Sequence, residues 1–229
     1  KNMIIDILYK PSYSMARILL SGGEALRAET GAMVGMKGVQ VETRMQGGFF
    51  RSLVRTAFAG ESFFINTFRA KENGGEVYLA PALPGDIYNM EIKEEAYLVQ
   101  SGSFLGSAES VETDAKWSGA RTFFSGEGLI MLRCFGQGNL LLASYGAIHE
   151  LSLSEGETFT VDTGHLVAFS EKIGFELRTV GGLKATVMGG EGLVVDLRGP
   201  GQVMLQTRSE GALLDWIVPR LPKPSAKAE

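Results

Sequence analysis

The amino-acid sequence predicts an all-β protein built from three related β modules in tandem. Glycine accounts for 30 of the 229 residues, nearly twice the average usage of roughly 7%. These glycines follow no Gly-X-Y period and lie between short apolar runs, which is typical of tight turns joining many short strands. Three sets of glycine-containing signals also recur along the chain with nearly one period, and this predicts an internal repeat.

The spacing of the three sets defines the repeat. One set is Gly-Glu at 60–61, 126–127 and 190–191, and another begins with glycine at positions 75, 138 and 201, 63 residues apart both times. The remaining set is Gly-Glu or Gly-Asp at 23–24, 85–86 and 156–157. We therefore expect a single domain over residues 1–218, with pseudo-threefold symmetry and repeats at about 10–80, 81–145 and 146–210.

The segments between these signals show the alternation of strands. Apolar residues recur at every second position in the pairs Leu151 and Leu153, Phe159 and Val161, Phe175 and Leu177, and Val203 and Leu205. The stretches 71–75, 136–139 and 199–202 hold the glycine, proline and asparagine of tight hairpin connections. Such a chain is expected to leave an unpaired edge strand at each end, and unpaired edges invite pairing with another copy.

Two segments depart from the strand pattern. Residues 47–58 carry apolar side chains at helical spacing, including Phe49, Phe50 and Phe58, and predict one short amphipathic helix. Residues 219–229 are rich in proline, lysine and alanine and predict a disordered tail. No apolar stretch has the length of a membrane-spanning helix, and the first residues lack the features of a secretory signal, so a cytoplasmic location is expected.

The residue types that usually carry catalysis are scarce. The chain has two histidines, His149 and His165, and one cysteine, Cys134, which lies in an apolar run and is expected to be buried. Gly156-Glu157 followed by Gly164-His165 loosely resembles half of a cupin metal site, but such sites need two or three histidines and a carboxylate. We therefore predict no catalytic residues, no metal site and no cofactor, and the ligand-binding residues stay unknown.

A basic patch is the best candidate for a binding surface. The net charge is −4, yet residues 1–60 hold eight basic and four acidic side chains. Arg44, Arg51, Arg55 and Arg121 lie near several phenylalanines in the sequence. Basic residues interleaved with aromatics suit single-stranded nucleic acid or an anionic membrane surface. The alternative is that these arginines pair with local acids on a solvated face.

Several ordered motifs resemble one known family. These include Gly60-Glu61-Ser62-Phe63-Phe64, the stretch 79–87, Ser144-Tyr145-Gly146-Ala147-Ile148, the stretch 161–169 and Gly199-Pro200-Gly201. Together they cover roughly residues 15–210 and resemble the mitochondrial biogenesis family named for altered inheritance of mitochondria. The resemblance implies three fused β-sandwich modules, each a short double-stranded β-helix like that of the tryptophan RNA-binding attenuation protein. It also implies that a homotrimer would form a nine-module ring.

The resemblance supplies no function, so the sequence leaves three interpretations. The leading one is a non-catalytic oligomeric protein that scaffolds or binds a protein partner. An alternative is an RNA-binding ring, by analogy of fold alone, although the acidic chain lacks the general attraction to phosphate backbones that nucleic-acid binders use. A third is a cupin-like metal-dependent enzyme, which the shortage of histidines disfavours.

Overall fold

The computed structural model describes residues 3–42, 65–114, 130–180 and 193–222. These residues form an all-β fold of antiparallel sheets with one α-helix, as the sequence predicts. The helix predicted over 47–58 lies outside the described residues. One helix that the sequence did not predict, α1 (Glu210–Ile217), follows the last strand. Its N-cap is Ser209, whose hydroxyl accepts a hydrogen bond from the amide of Ala212.

The strands fall into three groups of six, preceded by one additional strand, β1 (Ile4–Leu8). Group 1 contains β2 (Met15–Leu20), β3 (Ala25–Glu29), β4 (Met33–Lys37), β5 (Val39–Glu42), β6 (Ile65–Ala70) and β7 (Gly75–Leu79). Group 2 contains β8 (Ile87–Ile92), β9 (Tyr97–Gln100), β10 (Phe104–Ala108), β11 (Val111–Asp114), β12 (Met131–Gly136) and β13 (Gly138–Ala143). Group 3 contains β14 (Ile148–Leu153), β15 (Thr158–Asp162), β16 (Leu166–Ser170), β17 (Gly174–Thr179), β18 (Leu193–Arg198) and β19 (Gly201–Gln206).

Strand pairing follows the same pattern in every group. The sixth strand pairs with the first and the third, and the fifth pairs with the second and the fourth. The third strand carries a register shift at the same place each time, between Met33 and Gly35, Phe104 and Gly106, and Leu166 and Ala168. These shifts provide a common reference for comparing the three groups position by position.

The glycines at 75, 138 and 201 occupy one structural position. Each begins the sixth strand of its group, opposite the last residue of the first strand. Gly138 has a φ of +137°, and a Cβ there would lie 2.9 Å from the Cβ of Ala108. The turn therefore requires glycine both for its backbone conformation and for its close packing.

The middle member of the Gly-Glu or Gly-Asp set does not occupy the same structural position as the other two. Gly23-Glu24 and Gly156-Glu157 precede the second strands β3 and β15, whereas Gly85-Asp86 precedes β8, the first strand of group 2. Gly85 has a different physical role, because a Cβ there would lie 1.6 Å from the carbonyl oxygen of Ser144. It permits the segments that lead into groups 2 and 3 to approach closely, and it forms a bridge with Gly146.

The core extends across the boundaries between groups. Strand β2 shows how each sheet contributes, since Ala16, Ile18 and Leu20 are buried and alternate with partly exposed residues. One apolar cluster joins groups 1 and 2 and includes Val167 and Met204 of group 3. A second cluster contains residues of group 3 together with Leu98 and Met131 of group 2. Neighbouring groups therefore share buried surface, as in repeat proteins.

Candidate functional site: two strand edges at the ends of the array

Adjacent groups are joined by one recurring strand pair, which we call a seam. In each seam the second strand of one group pairs with the third strand of the next, as β3 does with β10 and β9 with β16. The two seams create two six-stranded sheets, ordered β5-β6-β3-β10-β13-β8 and β11-β12-β9-β16-β19-β14. Each sheet is thus assembled from three strands of one group and three of the next.

An arginine–glutamate ion pair crosses each seam. The Arg69 guanidinium of group 1 lies 2.7 Å from the Glu109 carboxylate of group 2, and Arg133 of group 2 lies 2.6 Å from Glu171 of group 3. Hydrogen bonds to these carboxylates raise the pKa of both arginines. Each glutamate directly follows the third strand of its group, so the two carboxylates occupy corresponding places, although Arg69 lies opposite Ala25 and Arg133 opposite Leu98.

Two strands lack the seam partner that their counterparts have. β4 is the outer strand of the sheet β1-β2-β7-β4, and β15 is the outer strand of the sheet β15-β18-β17. Within the described ranges no strand pairs with the outer side of either. The other edge strands, such as β5 and β8, are edges in every group where the sheet is complete. Among the described strands, β4 and β15 are the two edge strands whose counterparts in both other groups have a partner on each side, and we call them the β4 edge and the β15 edge.

Burial along the third strands shows what the missing partner exposes. Every residue of β10 and of β16 is buried, whereas four of the five residues of β4 are exposed and Gly35 is half-buried. Met33 is 42% exposed and Val34 60%. At the position of Met33, β10 has Phe104 and β16 has Leu166. At the position of Val34, the two strands have Leu105 and Val167. All four of these residues are fully buried.

The β15 edge shows the same contrast. Phe159 is 38% exposed, while Leu26 in the corresponding position of β3 is fully buried. Met36, on the β4 edge, is 44% exposed. Six exposed large apolar residues lie in the described strands, and four of them are on these two edges. A single exposed apolar residue, such as Phe159 on the β15 edge, is ordinary on a protein surface, but the run of Met33, Val34 and Met36 along the β4 edge indicates an interaction site.

A polar depression lies beside the second seam. It has a volume of about 280 Å³ and is lined by Gln100, Ser101, Ser103, Tyr145 and Gln206, among others. The Gln206 side chain is already engaged, since its amide donates to the carbonyl of Gly164 and its oxygen accepts from the amide of Tyr145. The Gln206 side chain therefore stabilises the end of the seam, and the charged residues among the described lining are two acids, Glu29 and Glu210.

The two histidines and the cysteine lie in strands or directly next to one. His165 Nδ1 lies 2.7 Å from the backbone oxygen of Gln206, and His149 lies in β14 opposite Leu205. Cys134 is fully buried in β12, and burial raises the pKa of its thiol well above the usual range. Among the residues that the structure describes, no three His, Cys, Asp or Glu side chains are placed to hold a metal ion.

The structure does not place the residues of the predicted basic patch. Arg44, Arg51, Arg55 and Arg121 all lie outside the described residues, so the RNA and membrane interpretations of that patch stay predictions. The sequence anticipated an unpaired strand at each end of the repeat but did not identify β4 and β15. No described helix is long and apolar enough to span a membrane.

Comparisons with known proteins find a matching family, a similar sequence and a similar solved structure. A family model described as mitochondrial biogenesis AIM24 matches residues 5–208. An uncharacterized protein of Streptococcus pyogenes serotype M6 is 29% identical over 205 residues, which cover 85% of this chain and 82% of that protein. A crystal structure of a Streptococcus pyogenes protein from structural genomics superposes with a TM-score of 0.80 at 27% identity, covering 96% of this chain and 100% of that one.

Proposed function

The chain belongs to the mitochondrial biogenesis AIM24 family, and we propose that it is a non-catalytic protein that scaffolds or binds partners as an assembly of identical copies. One observation carries the proposal. Positions that are buried at both internal seams are exposed at the β4 edge and the β15 edge of the same chain. A second copy of the chain offers the partner strand that each edge lacks.

The two edges favour a closed ring over a simple twofold dimer. The strands differ, because β4 is a third strand and β15 is a second strand, so the contact between copies is head-to-tail. A head-to-tail contact leaves one free edge at each end of a linear chain, and it leaves none when the assembly closes. We propose closure with three copies, which gives nine strand groups, in keeping with the ring that the family resemblance implies.

The chemistry of the described residues supports a structural role. Arginines with a raised pKa form ion pairs on sheet surfaces, as Arg178 does with Asp196 at 2.7 Å. The Cys134 thiol is held in its unreactive protonated form by burial. These groups connect strands and fill the core, and none of them faces the polar depression beside Tyr145.

Native mass spectrometry of the purified protein tests the proposal. The expected result is an assembly of three times the 24.7-kDa chain mass, with any additional mass identifying a bound molecule directly. A monomer over the full concentration range of the experiment would contradict the assembly and leave no role for the two edges. An assembly of another closed size would retain the self-association and correct the number of copies.

A further inference from the structure

We infer that β15 of one copy pairs antiparallel with β4 of the next copy in the register of the internal seams. In this register Val161 lies opposite Gly35, Thr160 opposite Met36, and Phe159 opposite Lys37. The inference rests on the proposed self-association and goes further, because it identifies the two strands, their direction and the residues that face each other. Three steps lead to it.

The first step is the order of strands that this pairing creates. Both complete sheets run through the fourth, fifth and second strands of one group and then the third, sixth and first strands of the next. The two incomplete sheets contain the same halves. One is β17-β18-β15, which ends on a second strand, and the other begins with β4-β7-β2, which starts on a third strand. Joining β15 to β4 reproduces the order of the complete sheets, with β1 added at the far side.

The second step fixes the register of β4. Gly35 is opposite Tyr78 of β7, as Gly106 is opposite Leu141 of β13. These partners are 63 residues apart, the spacing of the repeat. Ala168 holds the same position in β16, opposite Met204. At the internal seams Gly106 faces Ala28, and Ala168 faces Val99.

The third step fixes the register of β15. The turns before β3 and β15 are the same, because the Glu24 carboxylate accepts from the amide of Ser21 at 2.8 Å, and the Glu157 carboxylate accepts from the amide of Ser154 at 2.9 Å. The glycine before each glutamate has nearly the same φ, +78° and +79°. Val161 follows Glu157 by as many residues as Ala28 follows Glu24, so Val161 takes the place of Ala28 opposite Gly35.

The proposed pairing of β15 with β4 of the next copy, which we call the joint, differs from the internal seams in its charges. The glutamate that follows the third strand at both internal seams is replaced by Gly38 after β4. The joint therefore lacks the arginine–glutamate pair and depends on backbone hydrogen bonds and on burial of Met33, Val34, Met36 and Phe159. Apolar burial is not screened by salt, so the association is expected to persist in high salt.

Disulfide cross-linking between two variants, each with one introduced cysteine, tests the register. Met36→Cys and Thr160→Cys are prepared separately, since both side chains are exposed and neither change removes core packing. Equal amounts are mixed under mild denaturation, refolded and oxidised, and a disulfide between the two introduced cysteines can then join only two separate chains. Cys134 is fully buried, so the wild-type protein serves as the blank.

The matched control pairs Lys37→Cys with Thr160→Cys. Lys37 is exposed and adjacent to Met36 in the strand but faces the other side of the sheet. The expected yield of covalent dimer is roughly tenfold higher for the Met36 and Thr160 pair, because side chains on opposite faces cannot reach disulfide geometry. Equal yields from the two pairs would overturn the register.

Native mass spectrometry of the same samples separates the two hypotheses. If the variants assemble but the Met36 and Thr160 pair gives no disulfide, the register is wrong and the self-association stands. If neither the variants nor the wild type assembles, both the register and the proposed function are wrong.

Discussion

Replacing Val34 with lysine is expected to dissociate the assembly without unfolding the chain. Val34 lies at the register shift of β4 and is 60% exposed in the single chain, while Leu105 and Val167 at the same position of the internal seams are fully buried. A lysine at Val34 remains hydrated in the monomer. In the assembly it would place an ammonium group in a seam that excludes water.

The magnitude follows from the area that the joint buries. Complete burial of a valine side chain contributes about 1.5–3 kcal/mol, and covering the exposed three-fifths of Val34 therefore contributes about 1–2 kcal/mol. Losing that burial alone weakens association roughly 5- to 30-fold. Desolvating the ammonium group adds a penalty of several kcal/mol. The combined loss is expected to raise the dissociation constant of each joint by a factor on the order of 100 or more.

Sedimentation velocity over a dilution series measures this change, and Ile4→Lys is its matched control. Ile4 is 59% exposed and lies in β1, the opposite edge of the same four-stranded sheet. This second variant adds the same charge to the same sheet at a position outside the proposed joint. The reasoning would be refuted if Val34→Lys assembled like the wild type, or if both variants lost assembly equally.

Three further outcomes are expected from single residues. Gly85→Ala should lower the free energy of unfolding by about 1–3 kcal/mol or more in urea, because its Cβ would lie 1.6 Å from the carbonyl oxygen of Ser144. The control Gly102→Ala, whose Cβ would meet no atom closer than 4.0 Å, should change that free energy by less than about 0.5 kcal/mol. Similar unfolding midpoints for the two variants would contradict the close approach. Cys134 should not react with a thiol reagent at pH 8 until the chain is unfolded, since burial raises its pKa, and rapid labelling of the native protein would show that the strand is accessible. Burial raises the pKa of Tyr88 from 10.0 to about 12. Between these two pH values the folded chain keeps the phenolic proton and the unfolded chain loses it. The stability that Tyr88 contributes below pH 10 is therefore lost as the pH rises towards 12. Tyr88→Phe should remove this loss of stability in urea unfolding between pH 10 and 12. It should also remove a late tyrosinate transition in ultraviolet titration, and an unchanged titration curve would contradict the raised pKa.

Features that depend on local chain chemistry could be predicted from the sequence. The all-β class follows from alternation and turn glycines, and both are local. The glycines at 75, 138 and 201 were found by spacing alone, and each begins a sixth strand, where Gly138 and Gly201 have the positive φ that glycine permits. The helix α1 also has a local signal, the cap formed by Ser209 and Ala212, but the short segment was not identified as helical.

Features that depend on distant approach could not be predicted. Gly85-Asp86 looked like Gly23-Glu24 and Gly156-Glu157 in sequence, yet its glycine is required by close contact with Ser144, which is distant in the sequence. The basic patch at Arg44, Arg51, Arg55 and Arg121 remains a sequence prediction because those residues lie outside the described ranges.

The sequence by itself determined that this chain is a threefold repetition of turn signals between apolar strands, because turn chemistry and alternation depend on near neighbours. The tertiary structure alone decided which apolar strands are covered. By its apolar sequence, the segment Met33-Val34-Gly35-Met36 could be an interior strand, as Phe104-Leu105-Gly106 is. It is exposed because no strand of another group pairs with it in the described chain. Burial is a property of the whole arrangement, since water is excluded from a strand only when a second strand occupies its edge.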